Sequence, residues 1–320
     1  MTRTVVVTDY TFPDVSREEQ AARAGGAVFS AHQCKSADDV ARAVAGADVV
    51  AVQFAPFTEA AASAVAPGAT VIRYGVGYDN IDLDATASRG LKVGYVPDYC
   101  PDEVADHTAA AALAMLRKLL PLDKSVRAGE WAAVNNARPL KPFNETVFGF
   151  FGLGRIGRAV LERLSGFGFR FIASDPMLSE SEAAELGVGK VDADTLLHTA
   201  DIISLHAPAT AETAGFFNAG RFDAMPPHAM LVNSARGQLI AEADLAKALR
   251  EGSIAGAALD VFEEEPLPAD SPLRDAPNLL LTPHAAWYSD EAIGRLQGLV
   301  ADDISRALRG EPPRRPVGQN

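Results

Sequence analysis

A chain of 320 residues exceeds the usual size of one compact domain, and 48% hydrophobic with 22% charged residues is a globular composition, which excludes a disordered chain. A formal net charge of −13 with no dense Lys/Arg run argues against nucleic-acid and anionic-membrane partners. Two cysteines, Cys34 and Cys100, allow no disulfide framework or cysteine-rich metal site, so no metal is expected.

Along the chain, short apolar runs alternate with helical patterns, the signature of parallel sheets built from βαβ units. The N-terminal run Thr4-Val5-Val6-Val7 is too short for the apolar stretch of a signal peptide, and no window approaches the roughly 18 apolar residues of a membrane span. A cytoplasmic location is therefore expected. In the first third, strands are predicted at residues 4–8, 48–53, 71–75 and 92–95. The segment Val96-Pro97-Asp98-Tyr99-Cys100-Pro101 then marks a boundary. Pro101 suits a first helical position, and Asp102, Glu103 and Asp106 suit the positive end of a helix dipole. Together with His107 those acids could mimic a metal cluster, but the dipole arrangement is the expectation. Cys100 is assigned no chemistry. The helix is expected to run on through Leu120 and stop at Pro121. Residues 122–145 lack clear periodicity and read as an arm at a subunit interface.

A second series of strands is predicted at 147–151, 170–174, 202–206, 230–233, 256–260 and 279–281. A last helix is predicted from about Ser289 to Gly310, with Ile293, Leu296, Val300, Ile304 and Leu308 on one face, packing back on the N-terminal domain. The expected architecture is α/β, with two doubly wound parallel-sheet domains: residues 1–99 with 286–320, and residues 100–285. Two chain crossings imply an inter-domain cleft, a common place for small ligands.

The strongest local signal is Gly152-Leu153-Gly154-Arg155-Ile156-Gly157, which follows the apolar run 147–151 and opens a helix. Such a motif alone is weak; here strand, helix and a downstream acid agree. Gly152 allows the tight turn, Gly154 lets backbone approach a pyrophosphate, and Gly157 lets helix pack closely on strand. Asp175, eighteen residues past Gly157, ends the next strand and suits the adenosine ribose hydroxyls. A 2′-phosphate would meet a like charge there, a repulsion on the order of 4 kcal/mol at ~4 Å and an effective dielectric near 20. The sequence therefore favours NAD over NADP.

Four further segments carry a family resemblance: Arg73-Tyr74-Gly75-Val76-Gly77-Tyr78-Asp79-Asn80-Ile81-Asp82; Leu231-Val232-Asn233-Ser234-Ala235-Arg236-Gly237; Gly256-Ala257-Ala258-Leu259-Asp260-Val261-Phe262-Glu263-Glu264-Glu265-Pro266; and Thr282-Pro283-His284-Ala285-Ala286-Trp287-Tyr288-Ser289. In that order they resemble the D-isomer-specific 2-hydroxyacid dehydrogenases, and Trp287 after the histidine is similar to the C-terminal-binding-protein branch. The resemblance implies a flavodoxin-like substrate domain, a Rossmann NAD-binding domain and a homodimer. It also implies hydride transfer between nicotinamide and C2 of a small 2-hydroxy or 2-oxo acid.

By the same resemblance His284 is the acid/base, Glu265 its partner and Arg236 the substrate-binding arginine. The chemistry is consistent: imidazolium supplies a proton near neutral pH, a carboxylate beside the ring stabilises its charged form, and the planar guanidinium suits a 2-oxo acid's oxygen pair. The resemblance places the substrate carboxylate on the backbone of Gly75, Val76 and Gly77, with Arg73 nearby and Trp287 as a pocket wall. For the cofactor it adds Thr108, residues 206–212 (His206, Ala207 and Pro208 among them), Thr213, Ser234, Ala235, Arg236, Asp260, His284 and Ala286. Asp260 is expected to accept from the nicotinamide carboxamide. The alternative reading is an NAD(H)-sensing interaction protein with little turnover. A phosphoglycerate dehydrogenase would need an added basic contact for the phosphate, which the sequence does not identify.

Overall fold

The computed structural model describes residues 2–318; residues 1 and 320, the outer bounds expected for the first domain, lie outside them. The chain divides into two compact units, Met1–Cys100 with Ser289–Asn320, and Pro101–Tyr288.

The first unit holds β1 (Thr4–Val7), β2 (Val28–Ala31), β3 (Val49–Val52), β4 (Thr70–Arg73) and β5 (Lys92–Tyr95) in a parallel sheet of order β2-β1-β3-β4-β5. This is the flavodoxin-like order. Central β1 and β3 are almost wholly buried, as expected of strands covered by helices on both faces. β2, an edge strand of Val28, Phe29, Ser30 and Ala31 that is half-exposed to exposed throughout, is not among the predicted strands. The helix Asp290–Leu308 begins at Ser289, whose hydroxyl accepts from the Ala292 N–H, and packs on the helix Ser16–Ala24. Its buried face includes Leu296, Val300 and Ile304, while Ile293 and Leu308 are half-buried. Buried Glu18 accepts from the Tyr74 hydroxyl at 3.0 Å and the Gln297 amide at 3.3 Å, so this helix is also joined to β4 through polar groups.

Just past β1, the buried Asp9 carboxylate accepts from three successive backbone N–H groups, those of Gln53 (3.1 Å), Phe54 (2.6 Å) and Ala55 (3.0 Å). The loop after β3 is thereby fixed by an acceptor that the chain itself supplies.

The second unit holds β6 (Val147–Phe151), β7 (Arg170–Ser174), β8 (Gly189–Lys190), β9 (Ile202–Leu205), β10 (Met230–Asn233), β11 (Gly256–Leu259) and β12 (Leu279–Leu281). All pair in parallel, in the order β12-β11-β10-β9-β6-β7-β8. The order reverses between β6 and β9, and ligands bind beyond the strand carboxyl ends at such a switch point. Apolar layers lie on both faces, one including Phe217, Leu231 and Leu245, the other including Phe148, Phe150 and Val160. Two-residue β8 is too short to leave a periodic signal.

One expectation is corrected. The helix that opens this unit, Pro101–Leu116, ends before Pro121, because Lys118 takes a left-handed conformation at φ 54°. A new helix, Leu119–Arg127, starts at once and holds Pro121 in its first turn. There a backbone N–H has no intrahelical partner to lose, so proline does not stop the helix. Residues 122–145, which showed no clear period, contain the rest of this helix and a second, Ala133–Ala137. Asp201, buried at the amino end of β9, ties that stretch down: it accepts from the Lys141 ammonium (2.9 Å), the His228 ring (2.6 Å) and the Val147 N–H (2.7 Å). Asp102 and Asp106 face Arg163, so their place is an ion-paired helix surface.

Candidate active site

The dinucleotide turn is built by close approach. Gly152 sits at φ 87°, and a β-carbon on it would lie 2.8 Å from the Ala207 backbone nitrogen; no other residue type fits without displacing main chain. Gly157 comes close enough to Gly152 that a β-carbon would lie 3.1 Å from its carbonyl oxygen. Gly154, at the start of the helix Arg155–Leu164, has open space where its β-carbon would be. Packed glycines on one side and an open one on the other suit a backbone that receives a pyrophosphate. Arg155 and Ile156 form the first turn of that helix.

Asp175 follows β7 with its carboxylate fixed beside the turn, accepting from Leu153 N–H at 2.7 Å and Met177 N–H at 2.8 Å. These residues fit a dinucleotide with free ribose hydroxyls. After β9, His206 accepts or donates a bond with the Ser204 hydroxyl at 2.8 Å; burial pushes its ring pKa down to about 3, so it is neutral. Thr213 closes the loop beyond, donating to the Pro208 carbonyl at 2.6 Å. Thr108, fully buried, bonds the Ser234 hydroxyl.

The residues expected to handle the proton stand beyond β10, β11 and β12. His284 Nδ1 lies 2.6 Å from Glu265 Oε2, while Glu265 Oε1 accepts from Phe262 N–H at 3.0 Å. The acceptor fixes the tautomer: Nδ1 carries hydrogen toward the carboxylate. Burial opposes charge on Glu265, but the bond to His284, the charge of that ring, the Phe262 N–H and the Arg236 guanidinium together hold its carboxyl below the ordinary value of 4.5. The His284 ring and the Arg236 guanidinium thus act on one carboxylate. Arg236 is presented by a turn that Asn233 builds from beneath, accepting from Ala235 N–H at 3.0 Å and donating to the Arg236 carbonyl at 2.7 Å.

Asp260 is almost fully buried and works as an organiser. It accepts from the Thr282 hydroxyl (2.6 Å), Ala285 N–H (2.8 Å) and Ala286 N–H (2.9 Å), and its carbonyl accepts from His284 N–H (2.8 Å). His284 itself adopts φ 52°, unusual for a residue with a side chain. Trp287 is half-buried against the edge of Tyr288.

Thus Thr108, Gly152, Gly154, Gly157, Asp175, His206, Ser234, Arg236, Asp260, Glu265, His284 and Ala286 all belong to the second unit, most of them just past strand carboxyl ends. Arg73, Gly75, Val76 and Gly77 belong to the first, at the end of β4, where Arg73 donates to the Tyr74 carbonyl and Gly75 takes φ 127°. Asn233, Gly237 and Thr282 lie within the sequence motifs, but their roles are not legible there. Nothing but their tertiary partners could have supplied those roles.

The family model for the NAD-binding domain of D-isomer-specific 2-hydroxyacid dehydrogenases matches residues 109–286. The chain belongs to this family. It is 40% identical over 253 residues to a glyoxylate reductase of Korarchaeum cryptofilum, covering 78% of this chain and 76% of that one. It is 38% identical to a D-3-phosphoglycerate dehydrogenase of Archaeoglobus fulgidus over 77% of its own length but 46% of the relative's, so it spans about half of that protein. The D-lactate dehydrogenase of Aquifex aeolicus, solved with NAD and lactic acid, superposes with a TM-score of 0.85 at 26% identity, over 96% of each chain. As a member of the family, the protein is an NAD-dependent oxidoreductase of CH–OH groups that interconverts 2-hydroxy and 2-oxo acids.

Proposed function

We propose that this dehydrogenase reduces small 2-oxo acids to D-2-hydroxy acids, with His284 giving the proton to the carbonyl oxygen. The observation that carries this reading is the 2.6 Å contact of His284 Nδ1 with Glu265, a carboxylate also influenced by Arg236. Bound NADH supplies the hydride to C2. Arg236 holds the substrate's carboxylate and carbonyl oxygens in its planar fork, and the negative charge that develops on the carbonyl oxygen falls between two cationic groups. The imidazolium form of His284 gives its Nε2 proton to that oxygen, leaving a neutral ring whose Nδ1–H stays on Glu265. The backbone of Gly75, Val76 and Gly77, with Arg73, is assigned to the substrate carboxylate, and Trp287 to the wall beside the substrate tail. Arg73 and Trp287 also support a place in the C-terminal-binding-protein-like branch.

The test is oxidation of NADH with glyoxylate, hydroxypyruvate, 3-phosphohydroxypyruvate, phenylpyruvate and 4-methylthio-2-oxobutyrate. Turnover of any of them supports the reading; failure with all of them overturns it.

We further infer a homodimer. Leu119, Leu120, Val126, Trp131, Val134 and Leu140 are exposed within one short stretch, Trp131 to 92%. Exposed apolar side chains gathered in this way need a covering surface, and a second copy is the simplest. Light scattering at the mass of one chain would refute it. The net charge supports a protein that binds no nucleic acid, and among the described residues no helix is long and apolar enough to cross a membrane. A cytoplasmic location is proposed with it, to be checked by cell fractionation.

A further inference from the structure

His107, on the helix Pro101–Leu116, takes no part in the chemistry above, yet it touches the framework that carries His284. Its Nε2 lies 3.1 Å from the Thr282 hydroxyl oxygen, and that hydroxyl lies 2.6 Å from Asp260 Oδ1. The direction of these bonds follows from what each group can do. An ionised carboxylate only accepts, so Thr282 must spend its single hydroxyl proton on Asp260. Toward His107 the same oxygen is an acceptor, so His107 must donate from Nε2. Donation into an oxygen that is itself donating strengthens the next bond in the chain.

The end of the chain is the segment 282–286. Asp260 Oδ1 receives Thr282 and Ala285 N–H, Oδ2 receives Ala286 N–H, and the Asp260 carbonyl receives His284 N–H. His284 is held at φ 52° between these anchors. Asp260 is only 3% exposed, so water does not readily replace a lost donor.

We propose that His107 is a positioning residue for His284, acting through Thr282 and Asp260. The proposal rests on His284 being the proton donor. It assigns His107 no contact with the reacting atoms: its task is to hold Thr282 so that the left-handed backbone at His284 stays in register with Glu265.

The experiment compares His107→Phe, His107→Gln, Thr282→Val and the double variant His107→Phe/Thr282→Val in the full chain. Phenylalanine removes the N–H; glutamine restores one at about the reach of Nε2. His107→Phe should lower kcat roughly 5- to 30-fold, a hydrogen bond lost and a donor slightly misplaced, with the NADH Kd changed by less than about twofold. His107→Gln should recover most of that loss. Thr282→Val, which also takes a donor from buried Asp260, should lose at least as much as His107→Phe, and the double variant should be no worse than Thr282→Val. Unchanged kcat in His107→Phe, no recovery with glutamine, or additive losses would each overturn the proposal.

Ring ¹⁵N resonances give a readout without turnover. In the unsubstituted protein at pH 8, His107 should show the Nε2–H tautomer, and the His284 signals should shift in His107→Phe and return in His107→Gln. An Nδ1–H tautomer at His107, or a His284 ring that is indifferent to both substitutions, refutes the chain. If no 2-oxo acid is turned over, the proposed reaction fails, while these spectra still decide whether His107 positions His284.

Discussion

Gly237 faces the backbone of Phe262 with no room between them: a β-carbon on Gly237 would lie 1.9 Å from the Phe262 carbonyl carbon and 2.1 Å from its oxygen. This approach sets the turn that ends in Arg236 against the loop that ends in Glu265. Gly237→Ala cannot be relieved by turning a flexible side chain, since the obstacle is main chain. The expected outcome is a loss of about 1–3 kcal/mol in unfolding free energy, with a fall in kcat larger than the fall in NADH affinity. Urea unfolding and steady-state kinetics on the same preparation check both parts.

His284→Ala should lower the reduction rate about 10²- to 10⁴-fold, the usual contribution of a positioned acid. NADH binding, followed by fluorescence titration, should survive. Loss of binding and turnover together would give His284 a structural role instead.

Glu265 contributes to acid stability with a definite sign. Its carboxyl titrates below 4.5 in the folded chain, through His284, Phe262 N–H and Arg236 prevailing over burial. The unfolded chain then takes up the proton first, so the stabilisation is complete above pH 4.5 and lost as pH falls through the lowered native value. Thermal midpoints between pH 3 and 7 should show Glu265→Gln losing less than the unsubstituted protein over the acid end of that range.

His206 acts in a different window. Burial lowers its pKa from 6.5 to about 3, so between these values the unfolded chain binds a proton that the folded chain refuses. Stability therefore falls as pH drops from 6.5 toward 3. His206→Gln should flatten this part of the curve in the same thermal series, and an unchanged slope would contradict a neutral buried ring.

Asp175 is the residue proposed to select the cofactor by charge. Replacement by alanine removes the like-charge repulsion against a 2′-phosphate and should raise kcat/KM for NADPH by about tenfold or more relative to NADH. An unaltered ratio would place the discrimination elsewhere.

Most of the strands were legible because buried central ones such as β3 and β6 are continuous apolar runs. What was not legible lacked either length or periodicity. β8 has two residues, β2 is an exposed edge strand, and the left-handed turn at Lys118 leaves no mark that outweighs the apolar pattern running past it. In the candidate site, the glycine motif and its downstream acid mark Gly152 and Asp175 for local reasons, whereas His284 was marked by the family resemblance. The tasks of Asn233, Gly237 and His107 arise from neighbours that the chain brings near only on folding, and spacing carries no trace of these. Asp260 was read as a cofactor contact; its three protein donors add a scaffolding task.

Asp9 bears on where an incoming acid can go. The three amides at the exit of β3 already point at an internal anion. That nest is spent, and any carboxylate from solution arriving there meets like charge rather than open N–H groups. The turn proposed for the substrate carboxylate lies one strand over, after β4, where Gly75 has left the ordinary backbone basin.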